Sequence, residues 1–425
     1  MERGPGEVQG PACFTWTGVQ SIGFEMKVPA TQLERVGAVE DQFQLATYKK
    51  MPIVAERGRG VWLFDADGVR YLDLYGGHAV AGTGHSHPHV VFAIQAQAEK
   101  LLFYSNLVYS EPRARAADML VQIAPEPLTK VFFCNSGTEA NENAMRMARM
   151  STGRENVITF SGGFHGRTAD AISATFLGKY RELGKPNVPG HLEAQFGDIE
   201  SVHTLADENV AAIMLEPIQS MAGVRTAEPQ FFQALRELCD ERAIVLIYDE
   251  VQTGVGRTGE WFFAGSEASN KVVPDVITLA KALGSGIPVG ACLVSESIAG
   301  AIKENDLGTT FGGGMVAMAA VTGTLEAIDI DNLLENVRSV EAYLRSRLAD
   351  IPQVRQVRGL GFLLGLEFEE KVAPIHQGLL DRKIITGTSS DPNVLRLLPP
   401  LCLKSAEIDL FVEQLRTLLT RQGST

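Results

Sequence analysis

Apolar strand-like runs that alternate with helix-like segments constrain the fold of this chain more than any other feature. Runs rich in Val, Ile and Leu occupy residues 211–217, 244–250, 275–281 and 290–296. Helical periodicity marks residues 139–150 and 231–243. Uninterrupted apolar runs are typical of strands buried on both faces, and helices between such strands produce a parallel sheet covered on both sides. The sequence therefore predicts an α/β fold with a mostly parallel sheet.

The pattern changes along the chain and indicates four segments. Residues 1–30 are rich in Gly and Pro and are expected to form a flexible extension. Residues 31–75 should contribute to a small domain, and residues 76–324, which hold the alternating pattern, should form the large domain. From 325 to 425 the order is helix, strand-like runs and a closing helix, which predicts a smaller α+β domain.

Charge and cysteine content narrow the classes of partner. The formal net charge is −13, which argues against a surface for nucleic acid or for an anionic membrane. No apolar run reaches the length of a membrane span, and the first residues lack the order of a signal peptide. The five cysteines are scattered without a C-x-x-C pair, as in reduced proteins. We therefore expect a cytoplasmic protein that binds neither nucleic acid nor a membrane.

A glycine pattern at 254–259, GVGRTG, matches the G-x-G-x-x-G fingerprint of dinucleotide-binding turns. In such folds the first glycine directly follows a strand, and the pattern opens an amphipathic helix. Here the residues EVQT separate the strand from the first glycine, and the segment after the pattern has no helical periodicity. The sequence therefore favours a structural loop over a nicotinamide site.

Charged residues end several of the predicted strands, at the edge where open α/β folds bind ligands. Asp249 ends one buried run, Lys281 ends another and Glu216 ends a third. A buried carboxylate needs a cationic partner, because an unpaired charge there is very costly. Lys281 is either a surface lysine with a buried stem or a desolvated amine suited to Schiff-base chemistry.

Two further features complete this set. Residues 135–138, Asn-Ser-Gly-Thr, form a turn between a strand and a helix, which is either a plain helix cap or a cradle for one phosphate. Phe164, in GGFHGRT, offers an aromatic ring. An acid, a lysine, a phosphate turn and an aromatic ring together describe a site for pyridoxal phosphate, in which the acid keeps the pyridine nitrogen protonated.

Several stretches resemble the class III aminotransferases, which are pyridoxal-phosphate enzymes of fold type I. The similar stretches are SGTEANENAMRMAR, GGFHGRT, LEP, DEVQTGVGRTG, the run that ends in Lys281, and GTTFGG. The similarity extends from about Tyr48 to the C-terminus, and YKKMPIV and VLRLLPPL are similar to acetylornithine aminotransferases. The resemblance implies the fold type I architecture, with a large domain, a smaller α+β domain and a homodimer that shares its active sites.

The resemblance also implies a role for each matching residue. Lys281 would be the Schiff-base lysine and proton carrier, and Asp249 the partner of the pyridine nitrogen. The other cofactor-binding residues would be Ser136, Gly137, Thr138, Phe164, Val251 and Gln252, with Thr310 supplied to the neighbouring subunit. The substrate-binding residues would be Arg167, Glu216, Thr309 and Arg396. Both arginines would bind carboxylates, and Glu216 would pair with Arg396 when the substrate offers no carboxylate there. No metal site is expected.

The implied reaction moves the terminal amino group of an N-acylated ornithine-like amino acid to 2-oxoglutarate, as in arginine biosynthesis. N2-acetylornithine is the first candidate for this amino donor. Ornithine, 4-aminobutyrate and lysine-pathway donors stay open. A racemase, mutase or decarboxylase on the same fold is a further alternative, and so is a binding protein without activity, against which Lys281 and Asp249 argue. Residues 75–88, 216–224 and 312–315 depart from the usual sequence of the family and leave the substrate open.

Overall fold

A computed structural model describes residues 31–422, which fall in two compact units divided between Ala55 and Glu56. The described part of the first unit is helix α1 (Gln32–Phe43) and an irregular segment. Thr31 begins the helix, because its hydroxyl accepts a hydrogen bond from the Glu34 N–H and the Glu34 carboxylate accepts one from the Thr31 N–H. This reciprocal capping satisfies two N–H groups at the start of the helix. The predicted extension, 1–30, lies outside the described residues.

The described strands form three sheets. The strands are β1 (Ala55–Arg59), β2 (Trp62–Asp65), β3 (Arg70–Asp73), β4 (Leu128–Cys134), β5 (Asn156–Phe160), β6 (His191–Ala194), β7 (Val210–Leu215), β8 (Val245–Asp249), β9 (Val276–Leu279), β10 (Gly290–Ser295), β11 (Val354–Leu360), β12 (Leu363–Phe368), β13 (Ile384–Ile385), β14 (Gly387–Thr388) and β15 (Val394–Leu397). The strand orders are β1-β2-β3-β13, β4-β10-β9-β8-β7-β5-β6 and β11-β12-β15-β14.

Helices connect and cover these sheets. They are α2 (Gly76–Ala79), which is a single turn with positive φ, α3 (Pro88–Lys100), α4 (Glu111–Ile123), α5 (Gly137–Thr152), α6 (Ala169–Ser173), α7 (Lys179–Leu183), α8 (Ile199–Leu205), α9 (Pro229–Arg242), α10 (Glu296–Ala301), α11 (Met315–Ile330), α12 (Leu333–Ala349), α13 (Ala373–Asp381) and α14 (Ser405–Gln422). Between α9 and α10, short 3-10 helices lie at Glu267–Ser269 and Lys281–Gly284. Within residues 31–422, no helix is long and apolar enough to cross a membrane.

The seven-stranded sheet explains the long apolar runs of the sequence. Strands β6, β5, β7, β8 and β9 pair in parallel, and β10 pairs antiparallel with both β9 and β4. Successive residues of β8 point to opposite faces, so that Leu246 and Tyr248 enter one apolar core while Val245 and Ile247 enter the other. Because helices bury both faces, every residue of the strand is apolar until Asp249. The predicted α/β fold with a mostly parallel sheet is confirmed.

The two smaller sheets involve the C-terminal part of the chain. In one of them β12 lies between β11 and β15, and all the paired strands are antiparallel. In the other, β13 pairs in parallel with β3, so residues 384–385 lie beside residues 72–73. The domain boundary predicted at residue 324 falls inside α11. The division at residues 75 and 324 stays a prediction.

Candidate active site

The carboxyl ends of β7, β8 and β9 meet at one edge of the large sheet, because these three strands are adjacent and parallel. Glu216 directly follows β7, Asp249 is the last residue of β8, and Lys281 stands two residues after β9. The turn before α5 follows the end of β4 in the same sheet. The structure therefore brings the strand-end residues named from the sequence to one edge.

Asp249 is buried, and three hydrogen bonds hold its carboxylate. One oxygen lies 2.8 Å from both the Asn141 amide nitrogen and the His165 Nδ1, and the other accepts the Val251 N–H at 3.1 Å. The side-chain oxygen of Asn141 (Oδ1) in turn accepts a hydrogen bond from the Thr278 hydroxyl at 2.6 Å. A buried carboxylate held by several donors keeps a fixed orientation.

Lys281 begins a short 3-10 helix with its backbone in the left-handed region, at φ 42°. Left-handed backbone is uncommon for a residue with a side chain and is typical of positions that the surrounding structure enforces. Burial lowers the pKa of the Lys281 amine, and the negative charges of Asp249 and Glu216 oppose that shift. The amine is therefore easier to deprotonate than a surface lysine.

Glu216 and Phe164 contact each other at the same edge. The Glu216 carboxylate is buried and accepts the Phe164 N–H at 2.8 Å. Burial, and then repulsion by Asp249, raise the pKa of Glu216 to about 7. The Phe164 ring lies edge to face with the Tyr180 ring, with 5.6 Å between the ring centres. The Arg167 guanidinium lies over the same Tyr180 ring, 4.9 Å from its centre. Arg167 is exposed.

The turn at 136–138 has the geometry of an anion cradle. Ser136 caps α5 by accepting the Glu139 N–H, while the N–H groups of Gly137 and Thr138 make no hydrogen bond within residues 31–422. These N–H groups lie at the positive end of a sixteen-residue helix. A Cβ at position 137 would lie 2.9 Å from the Val251 side chain, so only glycine permits this close packing.

The loop at 308–314 lies beside this turn. The Asn135 side chain donates to the Thr309 hydroxyl at 3.2 Å, and that hydroxyl also accepts the Gly312 N–H at 3.1 Å. Thr310 is exposed and lines an open cavity of about 440 Å³ together with Asn135 and Glu139.

Arg396, on β15, is buried and donates three hydrogen bonds. Its Nε donates to the Thr388 carbonyl at 2.6 Å, Nη1 to the Ser220 hydroxyl at 2.9 Å and Nη2 to the Tyr75 hydroxyl at 2.8 Å. No direct ion pair joins Arg396 to Glu216, although their charges still interact. The expected pairing of these two residues stays a prediction for a state with bound donor.

The GVGRTG segment forms a series of turns, as expected of a loop, and within residues 31–422 no amphipathic helix directly follows it. The Arg257 guanidinium is fully buried and donates to the carbonyls of Phe362 and Pro399, far along the chain. Glu250, just before these turns, has different partners from Asp249. Its carboxylate accepts the N–H groups of Phe263 and Ala264. Glu250 therefore anchors the segment after the turns.

The histidines at 85 and 87 also have structural partners. His85 Nε2 lies 2.7 Å from the Asp73 carboxylate, and His87 Nε2 lies 3.0 Å from that of Asp331. Within residues 31–422 no group of three His, Cys, Asp or Glu side chains could hold a metal ion.

Comparison with known proteins identifies the family. The family model for class-III aminotransferases matches residues 43–419. The chain belongs to the class III aminotransferases. This confirms the resemblance, and with it an enzyme that transfers amino groups with pyridoxal phosphate as cofactor. An acetylornithine aminotransferase of Methanopyrus kandleri is 41% identical to this class III chain over 387 residues, which cover 90% of it and 98% of the relative.

A second relative and two solved structures extend the comparison. The acetylornithine aminotransferase of Agrobacterium fabrum is 40% identical, over 85% of this chain and 92% of the relative. The ornithine aminotransferase of Toxoplasma gondii has a TM-score of 0.86 at 26% identity, over 93% of this chain and 97% of that one. The acetylornithine aminotransferase of Elizabethkingia anophelis has a TM-score of 0.79 at 26% identity, over 92% and 99%.

The described residues fit the cofactor of a class III aminotransferase. The free N–H groups of Gly137 and Thr138 suit its phosphate. The Gln252 side-chain oxygen is buried and has no hydrogen-bond partner within residues 31–422, as expected for a group that faces an absent polar ligand. The Asp249 carboxylate suits a protonated ring nitrogen, and Lys281 supplies an amine of lowered pKa.

Four contacts of the site were not identified from the sequence. Asn141 lies one helical turn after Gly137 within SGTEANE, and His165 directly follows Phe164, so both stand inside stretches that the resemblance already marks. Tyr75 and Ser220 lie in two of the stretches that were expected to be atypical of the family, and no pattern in the sequence links either of them to Arg396.

Removal of the Asn141 amide should destabilise the protein. Asn141→Ala leaves Asp249 with fewer donors and the buried Thr278 hydroxyl without its acceptor, so we expect unfolding free energy to fall by about 1–3 kcal/mol. Urea denaturation measures the change. Asn143→Ala is the control, because this half-buried amide of the same helix donates to the Glu139 carbonyl and not to Asp249. Equal losses in both variants would contradict the expectation.

Proposed function

We propose that this enzyme transfers the terminal amino group of N2-acetylornithine to 2-oxoglutarate and so belongs to arginine biosynthesis. The supporting observation is that relatives named acetylornithine aminotransferase, 36–41% identical, align over most of the chain. The arrangement of charges supports the same reaction. Burial, together with the positive charges of Arg396, Lys281 and Arg167, lowers the pKa of His78, which supports a site of positive potential. Two separate arginines suit a dicarboxylate such as 2-oxoglutarate.

The cofactor residues are proposed as follows. Lys281 would hold the cofactor and then act as the base that takes a proton from the amine-bearing carbon of the donor. Asp249, oriented by Asn141 and His165, would bind the ring nitrogen as an anion. Bound pyridoxal phosphate supplies a carbonyl group for the donor amine and a ring that accepts electrons. The remaining contacts would come from Ser136, Gly137, Thr138, Phe164, Val251 and Gln252.

Substrate residues are proposed from the same geometry. Arg396 would bind the carboxylate next to the reacting carbon of glutamate, and Arg167 would bind the distal carboxylate. Thr309, whose hydroxyl is fixed by Asn135 and Gly312, would lie near the substrate. Glu216 would act as the countercharge of Arg396 when the donor has no carboxylate at that place, since a buried cation without compensation is costly.

Ornithine is the second candidate donor. It is favoured by the high structural similarity to enzymes named ornithine aminotransferases, at 26–28% identity.

A cytoplasmic location is also proposed, and the four described cysteines support it, since all are free thiols and three are buried.

A panel of donors tests the reaction. N2-acetylornithine should convert the cofactor absorbance of the purified enzyme to that of the aminated form, and ornithine and 4-aminobutyrate should do so more slowly. Lys281→Ala should bind the cofactor but lose at least about 1,000-fold in rate, because no other described base takes its place. Ornithine as the faster donor would reverse the assignment, and an active Lys281→Ala would remove Lys281 from the mechanism.

Replacement of Glu216 should separate the two half-reactions. Glu216→Gln keeps the shape but removes the countercharge of Arg396, so we expect about tenfold weaker reaction with N2-acetylornithine and an unchanged or faster reaction with glutamate. Single-turnover kinetics measures each half-reaction. Glu367→Gln is the control. Glu367 forms an ion pair with Arg358 and lies on β12, in the same small sheet as Arg396, so this variant also removes one carboxylate charge. Equal losses in both half-reactions would show that Glu216 has only a structural role.

A homodimer with shared sites is part of the proposal. An apolar segment at 101–109 is exposed, with Leu107 at 89% and Tyr109 at 105% of full accessibility. It lies against the loop of Thr310, because the Asn106 amide donates to the Gly312 carbonyl at 2.9 Å. Large exposed apolar segments are typical of interfaces, and a twofold dimer would place both segments against the partner. Thr310 could then complete the phosphate site of the partner.

Disruption of this segment tests the dimer. Leu107→Glu should shift the sedimentation mass from dimer to monomer and weaken cofactor binding by at least about tenfold, because Thr310 of the partner is lost. Leu183→Glu is the control, since Leu183 is also exposed, at 72%, but lies far from the segment in the chain. A fully active wild-type monomer would reject the shared site.

A further inference from the structure

Neutral oxygens from three separate segments hold the guanidinium of Arg396. They are the Thr388 carbonyl, the Ser220 hydroxyl and the Tyr75 hydroxyl, all within 2.9 Å of the nitrogen that donates to them. The residue is only 2% exposed. No carboxylate of residues 31–422 forms a direct ion pair with it, so its immediate contacts do not neutralise its charge.

The hydrogen-bond pattern leaves two donors of the guanidinium unused. A guanidinium carries five N–H groups: one on Nε and two on each terminal nitrogen. The three bonds of Arg396 use one N–H on each nitrogen. One N–H therefore remains on Nη1 and one on Nη2, and a carboxylate binds a guanidinium through two such bonds.

The Tyr75 ring is fixed in place. A Cβ at Gly387 would lie 2.1 Å from Tyr75 Cε2, so the glycine makes room for the ring. The Tyr75 N–H donates to the buried carboxylate of Asp73 at 2.8 Å, and His85 bonds the other oxygen of that carboxylate. The ring centre lies 5.5 Å from the Arg396 Cζ. Tyr75 is therefore held both through its backbone and through its ring.

The two hydroxyl groups come from parts of the chain that are far apart in sequence. Tyr75 directly follows Leu74 after β3, and Ser220 lies four residues after Glu216. The structure joins both to a single guanidinium, across 321 and 176 positions of the chain respectively. Two distant segments therefore converge on one chemical group.

We propose that Tyr75 and Ser220 are positioning residues, which orient Arg396 so that its two remaining N–H groups receive the carboxylate beside the reacting carbon of glutamate and 2-oxoglutarate. This inference rests on the proposed function, in which Arg396 binds that carboxylate. Glu216 then supplies charge compensation from a distance, while the hydroxyl groups set the direction of the bonds. The carboxylate site is preformed, and no direct ion pair has to break before the acid binds.

Binding of glutarate to the holoenzyme tests the orientation without turnover, because this dicarboxylate lacks the carbonyl group that reacts. Tyr75→Phe and Ser220→Ala should each raise the dissociation constant of glutarate by about tenfold, the loss expected when one bond to a charged group disappears. Ser220→Thr keeps a hydroxyl and should restore binding. In single-turnover kinetics the same two variants should slow the glutamate half-reaction more than the donor half-reaction, opposite to Glu216→Gln.

Tyr343→Phe and Ser339→Ala are matched controls, because each removes a hydroxyl from the surface of α12. They should leave glutarate binding unchanged. Unchanged glutarate binding in Tyr75→Phe and Ser220→Ala, or equal losses in both half-reactions, would overturn the proposal. If the wild-type enzyme does not react with N2-acetylornithine, the proposed donor is wrong, and glutarate binding still decides the role of Tyr75 and Ser220.

Discussion

The carboxylate of Asp249 ends a strand whose residues are all buried, and most of the site is arranged around the need to stabilise this charge. Its donors come from α5 through Asn141 and from the loop after β5 through His165. The Asn141 amide also binds the His165 carbonyl at 2.7 Å, and so links helix, loop and strand. The first residues of the same helix expose the N–H groups proposed to bind phosphate. The anchoring of one anion therefore also positions the binding site of another.

Two ionisable groups near Asp249, Lys281 and Glu216, shift toward their neutral forms. Burial lowers the pKa of Lys281, and burial together with Asp249 raises the pKa of Glu216 to about 7. Both shifts reduce the number of full charges in a site of low polarity. Arg396 cannot lose its proton at neutral pH, and neutral oxygens satisfy it instead. Arg396 thus keeps a positive charge for the carboxylate proposed to bind there, while Lys281 and Glu216 can exchange protons.

The sequence predicts the large sheet and the residues at its edge because strand ends can be read from apolar runs. Asp249, Glu216 and the turn before α5 follow from that pattern. It could not show that the run 275–281 ends as a strand at Leu279, or that β10 is antiparallel, because both depend on pairing with neighbours. The contacts of Arg396 were equally hidden. Tyr75 is 321 positions away, and only the folded chain brings the two together.

The backbone beside Tyr75 indicates why this stretch is unusual. Gly76, Gly77, His78 and Ala79 all have positive φ, and for residues with a side chain each left-handed position costs about 1–2 kcal/mol. Such strain persists where neighbouring structure enforces it, often at functional sites. The turn carries His78 into the field of Lys281, Arg396 and Arg167, where burial and these cations lower its pKa. The shift favours the neutral imidazole, so the strained turn adds no positive charge to that of the arginines proposed to bind carboxylates.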